Sequence, residues 1–281
     1  MTACLCATAL RGQWEAAEID RLLDRAEALE WRDASAGLHA AVKAGELAQT
    51  AGMQAQFGRA CATRIRHLTS IASFADAEAA YRDGLAAADG AHAERIVADL
   101  QVAFARAEMR RGHVVAATEL AVKVPTSLCD RHVELERKLV LAQGNVHQGN
   151  TDRALETLFE VAALADDGDP RVAGFRADAM LTIATMAARQ GKDCSGFAAA
   201  RDHCEQTSQL VERYGLRWAR AALILCRGMV LLLENDRDGA GREFEAARAA
   251  ATEFGDRLGV LYSARGTALL CAYADECDRA R

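Results

Sequence analysis

The chain has 281 residues, 51% hydrophobic and 26% charged, with a formal net charge of -6. That composition suits a soluble globular chain long enough for one large domain or two modest ones. Alanine makes up roughly a fifth of it and proline occurs only twice, so helix is selected and collagen-like, disordered and β-sandwich folds are excluded. The acidic balance, with both signs interspersed, gives no electrostatic case for direct binding to nucleic acid.

Residues 1–32 read as an N-terminal helical segment or cap. Its apolar start, Met1 to Leu10, is brief, has no basic flank and meets Arg11 at once, unlike a signal peptide. From residue 33 to residue 281 one pattern recurs: an alanine, three residues, a bulky or apolar residue, two residues, then a small one. It reads Ala77-x3-Tyr81-x2-Gly84, Ala154-x3-Leu158-x2-Val161 and Ala240-x3-Phe244-x2-Ala247, with weaker copies from Ala40, Ala117 and Ala200. The anchoring alanines step by 37, 40, 37, 46 and 40 residues, a helical-repeat period. Spacing i, i+4, i+7 puts the three side chains on one helical face, where small residues admit a neighbouring helix and the large one fills the gap. Turn signals precede the alanines at Gly112, Gly149 and Asn235, and Asp169-Pro170 supplies a cap and a proline at a first helical position. Upstream of each anchor lies another apolar-periodic helix, so the reading is about five to six stacked antiparallel helix pairs. The last helix, from about Leu258 to Asp278, reads as the first member of a pair. Leu261, Ala264, Ala268 and Cys271 share one face, and Leu269, Leu270 and Tyr273 interrupt the polar side. Either this helix folds back and covers its own apolar residues, or its free face would seek a second copy across a two-fold axis or a continuing domain.

In these residues the chain resembles the tetratricopeptide repeat family. Phe104-Ala105, Leu141-Ala142 and Ile183-Ala184 match the bulky–small pair of its first helices, and Ala240-Phe244-Ala247 matches the pattern of its second. Two features depart from it: the period is nearer 40 than 34, and the repeat-ending proline is nearly absent. Such longer helices resemble the repeat arrays of bacterial signalling and regulatory proteins, and the resemblance implies an all-α, right-handed superhelix, an α-solenoid. Other helical-repeat families, with periods of about 40 to 47 residues, have looser motifs.

No zinc-protease, phosphate-loop, nucleophile-elbow or paired Cys-x-x-Cys motif occurs. Glu234 to Gly239 with Glu245 approaches a calcium loop, but its first place is Glu rather than Asp, and a turn followed by a helix in repeat register explains the same letters. The nine cysteines are scattered, as reduced core residues of a cytoplasmic protein would be. Cys204 fills a repeat core position, and its spacing from Cys194 is wrong for zinc; Cys4 and Cys6 lie at a terminus prone to fraying. The longest apolar run, Ala221 to Leu233, is broken by Arg227 and Gly228 and is too short to span a membrane. No cofactor, metal or catalytic set is expected.

The resemblance implies that first helices line a concave groove. At that phase it places Arg59, Ala62, Arg66 and Thr69, then Asp99, Val102, Arg106 and Met109, then Glu136, Leu139, Gln143 and Val146; later helices offer Asp178, Leu181, Thr185 and Ala188, then Ala222, Leu225, Met229 and Leu232. Arg110, His147 and Arg189 follow on their helices. The candidate partner-binding residues are therefore Arg59, Arg66, Arg106, Arg110, Gln143, His147, Arg189 and Met229, against the plainer reading that such long side chains are merely solvated over apolar stems. The family's Lys/Asn carboxylate clamp is not inherited, since its places hold Ala62 and Arg66, then Val102 and Arg106. Arginines 66 and 106 at one phase predict two guanidiniums in one trough, suited to an acidic segment. The expectation is a non-enzymatic scaffold or sensory module for a protein or peptide partner, with neither nucleic acid nor membrane as its direct target. The alternative is a helical-repeat protein that binds a small molecule, or does chemistry, in an enclosed groove.

Overall fold

Alanine-rich periodicity carries through to the backbone. The computed structural model describes residues 2–88, 93–165, 167–190 and 194–279, with side chains described within 13–88, 94–165, 167–189 and 196–272. Among them are thirteen α-helices and no strand: α1 (Thr2–Ala28), α2 (Ala34–Thr50), α3 (Gln54–Ser70), α4 (Phe74–Ala87), α5 (Ala93–Arg111), α6 (Val114–Lys123), α7 (Arg131–His147), α8 (Thr151–Ala162), α9 (Pro170–Gln190), α10 (Cys194–Tyr214), α11 (Arg217–Leu233), α12 (Arg237–Phe254) and α13 (Arg257–Arg279). A single 3-10 turn, Thr126–Leu128, leads into α7. Among the described residues, no helix is long and apolar enough to cross a membrane. Cys4, Cys6, Cys194 and Tyr273 lie outside the described side chains.

Two compact units divide the chain, Met1–His147 and Gln148–Arg281. Within each, every helix packs against the next. In the first unit α1 also packs on α3, α3 on α5 and α5 on α7; in the second α9 packs on α11 and α11 on α13. Odd-numbered helices therefore form one layer of each unit and even-numbered helices the other.

The even helices carry the repeated stripe, and burial follows it. Every anchor position is buried except Leu47, which is exposed, and Tyr81, which is half-buried. Tyr81 stacks on Phe104 of α5, ring centroids 4.3 Å apart, so its edge stays near solvent while its face fills the gap between helices. The last stripe shows why a small residue must face a large one. Phe244 of α12 is fully buried; a Cβ built on Gly228 of α11 would lie 2.7 Å from its ring, and one on Gly266 of α13 would lie 2.8 Å from it. One aromatic is thus seated between two glycines on successive odd helices.

The helix stops are as the turn signals require. Gly112 and Gly149 adopt left-handed φ values of 94° and 80°, and Asn235 does so at 67°, the conformation that ends a helix and that glycine and asparagine tolerate. Asp169 accepts a hydrogen bond from the Arg171 amide at 2.8 Å, beside Pro170 at the start of α9. The calcium-loop letters form a turn followed directly by helix: α12 begins at Arg237, and the Asp236 carboxylate accepts the Gly239 amide at 2.9 Å.

At α13 the predicted faces are exchanged. Ser263 and Gly266 are buried, and Leu269 and Leu270 pack into the Phe244 cluster. Leu261, Ala264, Ala268 and Cys271 point outward and are exposed. The reason is Phe244: the helix turns its glycine toward that ring, and this carries the leucines inward with it.

Phe244→Ala should destabilise the second unit by about 3–5 kcal/mol. Gly228→Ala should cost about 1–3 kcal/mol by overpacking, and much less once position 244 is alanine. Chemical denaturation of the three single and double variants measures both, and additive losses would contradict the seating.

Candidate functional site

Arg66 on α3 and Arg106 on α5 hold one equivalent place on the odd helices of the first unit, Asp99 on α5 and Glu136 on α7 hold another two turns earlier, and the structure brings the four together. The Arg66 guanidinium pairs with Asp99 and donates through Nε to Glu136 at 2.8 Å. Arg106 donates to Glu30 at 3.1 Å and lies 3.4 Å from the second oxygen of Glu136. Its guanidinium also sits over the ring of Trp31, 4.4 Å from the centroid, a cation–π contact strengthened by desolvation. Glu30 and Trp31 come from the turn between α1 and α2.

One of these pairings joins helices that are not neighbours in the layer. Arg66 and Glu136 meet although α5 lies between α3 and α7. Helix axes two places apart in a flat layer would be about 16–20 Å apart, so the odd layer must curve toward this side for one bond to bridge them. The face is also closed. Arg66, Glu136 and Glu30 are almost wholly buried, at 4%, 1% and 3% exposure, and Arg106 reaches only 9%.

Electrostatics decide what this cluster can do. Burial alone lowers the Arg66 guanidinium, but the carboxylates of Asp99, Glu136 and Glu30 outweigh it and hold the group well above its ordinary range. Three carboxylates face two guanidiniums, so the local charge is already more than balanced. The two arginines do converge, as their phase predicts. They converge on the chain's own carboxylates, however, and present no open guanidinium pair to an acidic partner.

The remaining predicted residues are dispersed. Arg59 is half-exposed at the edge of the cluster, donating to Asp24 and to Glu27, each at 2.7 Å; burial lowers its guanidinium, and these two carboxylates raise it above its usual value. Arg110 donates to the carbonyls of Thr69 and Ser70 at 2.8 and 3.3 Å, capping the C-terminal end of α3 with a cation. Gln143 is half-buried, and His147, the last residue of α7, is exposed. In the second unit Arg189 is exposed and Met229 packs into the Phe244 cluster. Of the six in the first unit, only Arg66 and Arg106 are joined in the buried cluster.

Beside the charge cluster an accessible cleft of about 450 Å³ opens at the N-terminal ends of α3, α5 and α7. Ala55, Ile96, Leu128 and Val133 give it apolar walls; Arg59, Arg95, Asp99 and Asp130 stand around them, with Ser127 and Cys129 from the approach to α7. Asp130 is itself a cap, accepting the Val133 amide at 2.9 Å. Asp99 belongs both to this rim and to the buried cluster, so the cleft is built directly on the rigid part of the unit. Among the described residues, no group of three or more histidines, cysteines and acidic residues is arranged to hold a metal.

Of these residues Asp99 and Glu136 carry a readable signal, being acidic at the repeat phase that elsewhere holds arginine. Glu30 and Trp31 have none, because they lie in a turn outside the repeat. No protein-family model matches the chain, and no curated protein matches it either.

Glu136→Ala removes the carboxylate that both buried guanidiniums share, leaving each with an unfilled donor, and should cost about 3–5 kcal/mol of stability, with loss of helix on mild heating. Arg189→Ala, at an exposed position, should change stability by no more than about 0.5 kcal/mol. Urea denaturation of the two variants beside the wild type measures the contrast.

Proposed function

We propose that the chain is a non-enzymatic, tetratricopeptide-like helical-repeat scaffold that receives a segment of a partner protein at the cleft beside Arg59, Arg95 and Asp99. The reading rests on one observation: an apolar-walled cleft with a charged rim stands at the ends of three successive odd helices, on a face fixed from beneath by buried ion pairs. A rigid floor limits the ordering cost of binding. Ile96, Leu128 and Val133 offer room for an apolar side chain, Arg95 suits an acidic neighbour and Asp99 a donor. The partner is thus a short mixed segment with an apolar anchor, rather than a uniformly acidic one. In this reading the odd layers are the inner walls of superhelical stacks, as the family resemblance implies, and the role is regulatory assembly.

Arg95 and Ser127 are exposed rim positions whose replacement leaves the core intact. Arg95→Glu with Ser127→Trp should deplete at least one protein more than tenfold from affinity capture out of the source cell, relative to wild type, with helical content and denaturation midpoint unchanged. Identical capture by both forms at low salt would show that another surface, or no such surface, is used.

A further inference from the structure

In the second unit, two cysteines that the scaffold reading leaves without a task lie in contact. Cys204 on α10 and Cys226 on α11 are buried, with their sulfurs 3.8 Å apart. Cys204 donates its S–H toward Cys226. Cys226 Sγ lies 3.7 Å from the Thr185 hydroxyl of α9, which donates to the Leu181 carbonyl at 2.8 Å. A cleft of about 370 Å³ leads to this pair. It is lined by Cys204 together with Arg201, Glu205, Arg227, Val230 and Glu243. A structural cysteine sealed in an apolar core is inert; this pair has a neighbouring thiol, a hydroxyl and an opening flanked by two arginines.

We propose that Cys204 and Cys226 are a dithiol site oxidised by hydrogen peroxide to an intramolecular disulfide, with Cys204 the sulfur that meets the oxidant. Only Cys204 of the two lines the cleft, so peroxide, which is small enough to enter, reaches it first. The pair loses one proton to solvent and shares the other along the S–H···S bond. The hydrogen bond from Cys204 draws Cys226 below its ordinary value, aided by Arg227 against burial, while the same bond together with burial pushes the Cys204 thiol up. A shift of the shared proton to Cys226 puts the charge on Cys204. The Cys204 thiolate attacks one peroxide oxygen; the O–O bond breaks, and the departing hydroxide takes a proton to become the first water, leaving a sulfenic acid on Cys204. Cys226 then attacks that sulfur. The S–S bond forms, the S–O bond breaks, and the oxygen leaves with the remaining thiol proton as the second water. Two thiols are oxidised and one peroxide is reduced. The sulfurs must close from 3.8 Å to about 2.05 Å, a change within reach of side-chain rotation and a small approach of α10 to α11. The product staples two helices that hold opposite layers of the unit.

Trypsin separates the two cysteines, because Arg213, Arg217 and Arg220 lie between them. The full-length protein is treated with a few equivalents of peroxide, its remaining thiols are alkylated, and it is digested without reductant. The expected result is a Cys204–Cys226 cross-linked peptide as the dominant disulfide, absent after dithiothreitol, with one peroxide consumed per two thiols. Cys226→Ser should leave Cys204 as a sulfenic acid trapped by dimedone, whereas Cys204→Ser should leave Cys226 unoxidised. Recovery of both wild-type cysteines as alkylated thiols at a peroxide dose that oxidises the exposed Cys271 would overturn the proposal. So would Cys204 bonded chiefly to another cysteine, and trapping at Cys226 instead of Cys204 would overturn the order of attack.

Discussion

Everything in this molecule depends on how closely an even-numbered helix can approach its odd-numbered neighbours. Alanine or glycine at the contact positions removes the side-chain bulk that would hold the axes apart, and one large residue per stripe then fills what is left. Phe244 between Gly228 and Gly266 shows the arrangement at its tightest. Ala77 and Gly84 of α4 show it in the first unit, where a Cβ on Gly84 would lie 2.6 Å from Leu100 of α5 and 2.9 Å from Cys61 of α3. With each even helix seated this way, odd helices lie side by side, and their equivalent positions are brought onto one face.

That face sets what the first unit offers to other molecules. Its odd layer curves enough for side chains from α3 and α7 to meet over α5, and the curvature would expose a row of charges if nothing closed it. The chain closes it with its own groups: Glu136 lies between two guanidiniums, and Glu30 with Trp31 covers the second. Such a cluster gains less stability than its short distances suggest, because each ion has lost its water. Its physical value is positional. Several ionised side chains locked by mutual bonds have one arrangement, so the helices that carry them have one as well. The cleft at the ends of those helices inherits that definition, and the functional reading rests there rather than on the arginines themselves.

Much of the fold was legible because its determinants are local. Composition specifies helix, the i, i+4, i+7 stripe specifies the packed face, and Gly112, Gly149 and Asn235 specify turns through their own backbone preferences. The exceptions have tertiary causes. Leu47 has the right phase and stays exposed, and the rotation of α13 follows from its glycine meeting an aromatic on the preceding helix. The site was legible only in part. The phase of Arg66 and Arg106 predicts their convergence, yet whether two guanidiniums face solvent or carboxylates depends on groups 70 and 76 residues away in sequence, Glu136 and Glu30. Local patterning holds no information about that pairing. Cys204 and Cys226 are alike in this respect, since each reads alone as a small core residue and only the packing of α10 on α11 puts the sulfurs in contact.

The central claim is that the odd-helix face of the first unit is closed by its own buried ion pairs, with Glu136 at their centre. A double-mutant cycle on Arg66→Met and Glu136→Gln, read by equilibrium denaturation, tests it most directly. The account predicts that the two losses are coupled by about 1–3 kcal/mol, the double variant being far less destabilised than the sum of the singles. Losses that add to within about 0.5 kcal/mol would mean that the two side chains do not bond in the folded protein, and would contradict it.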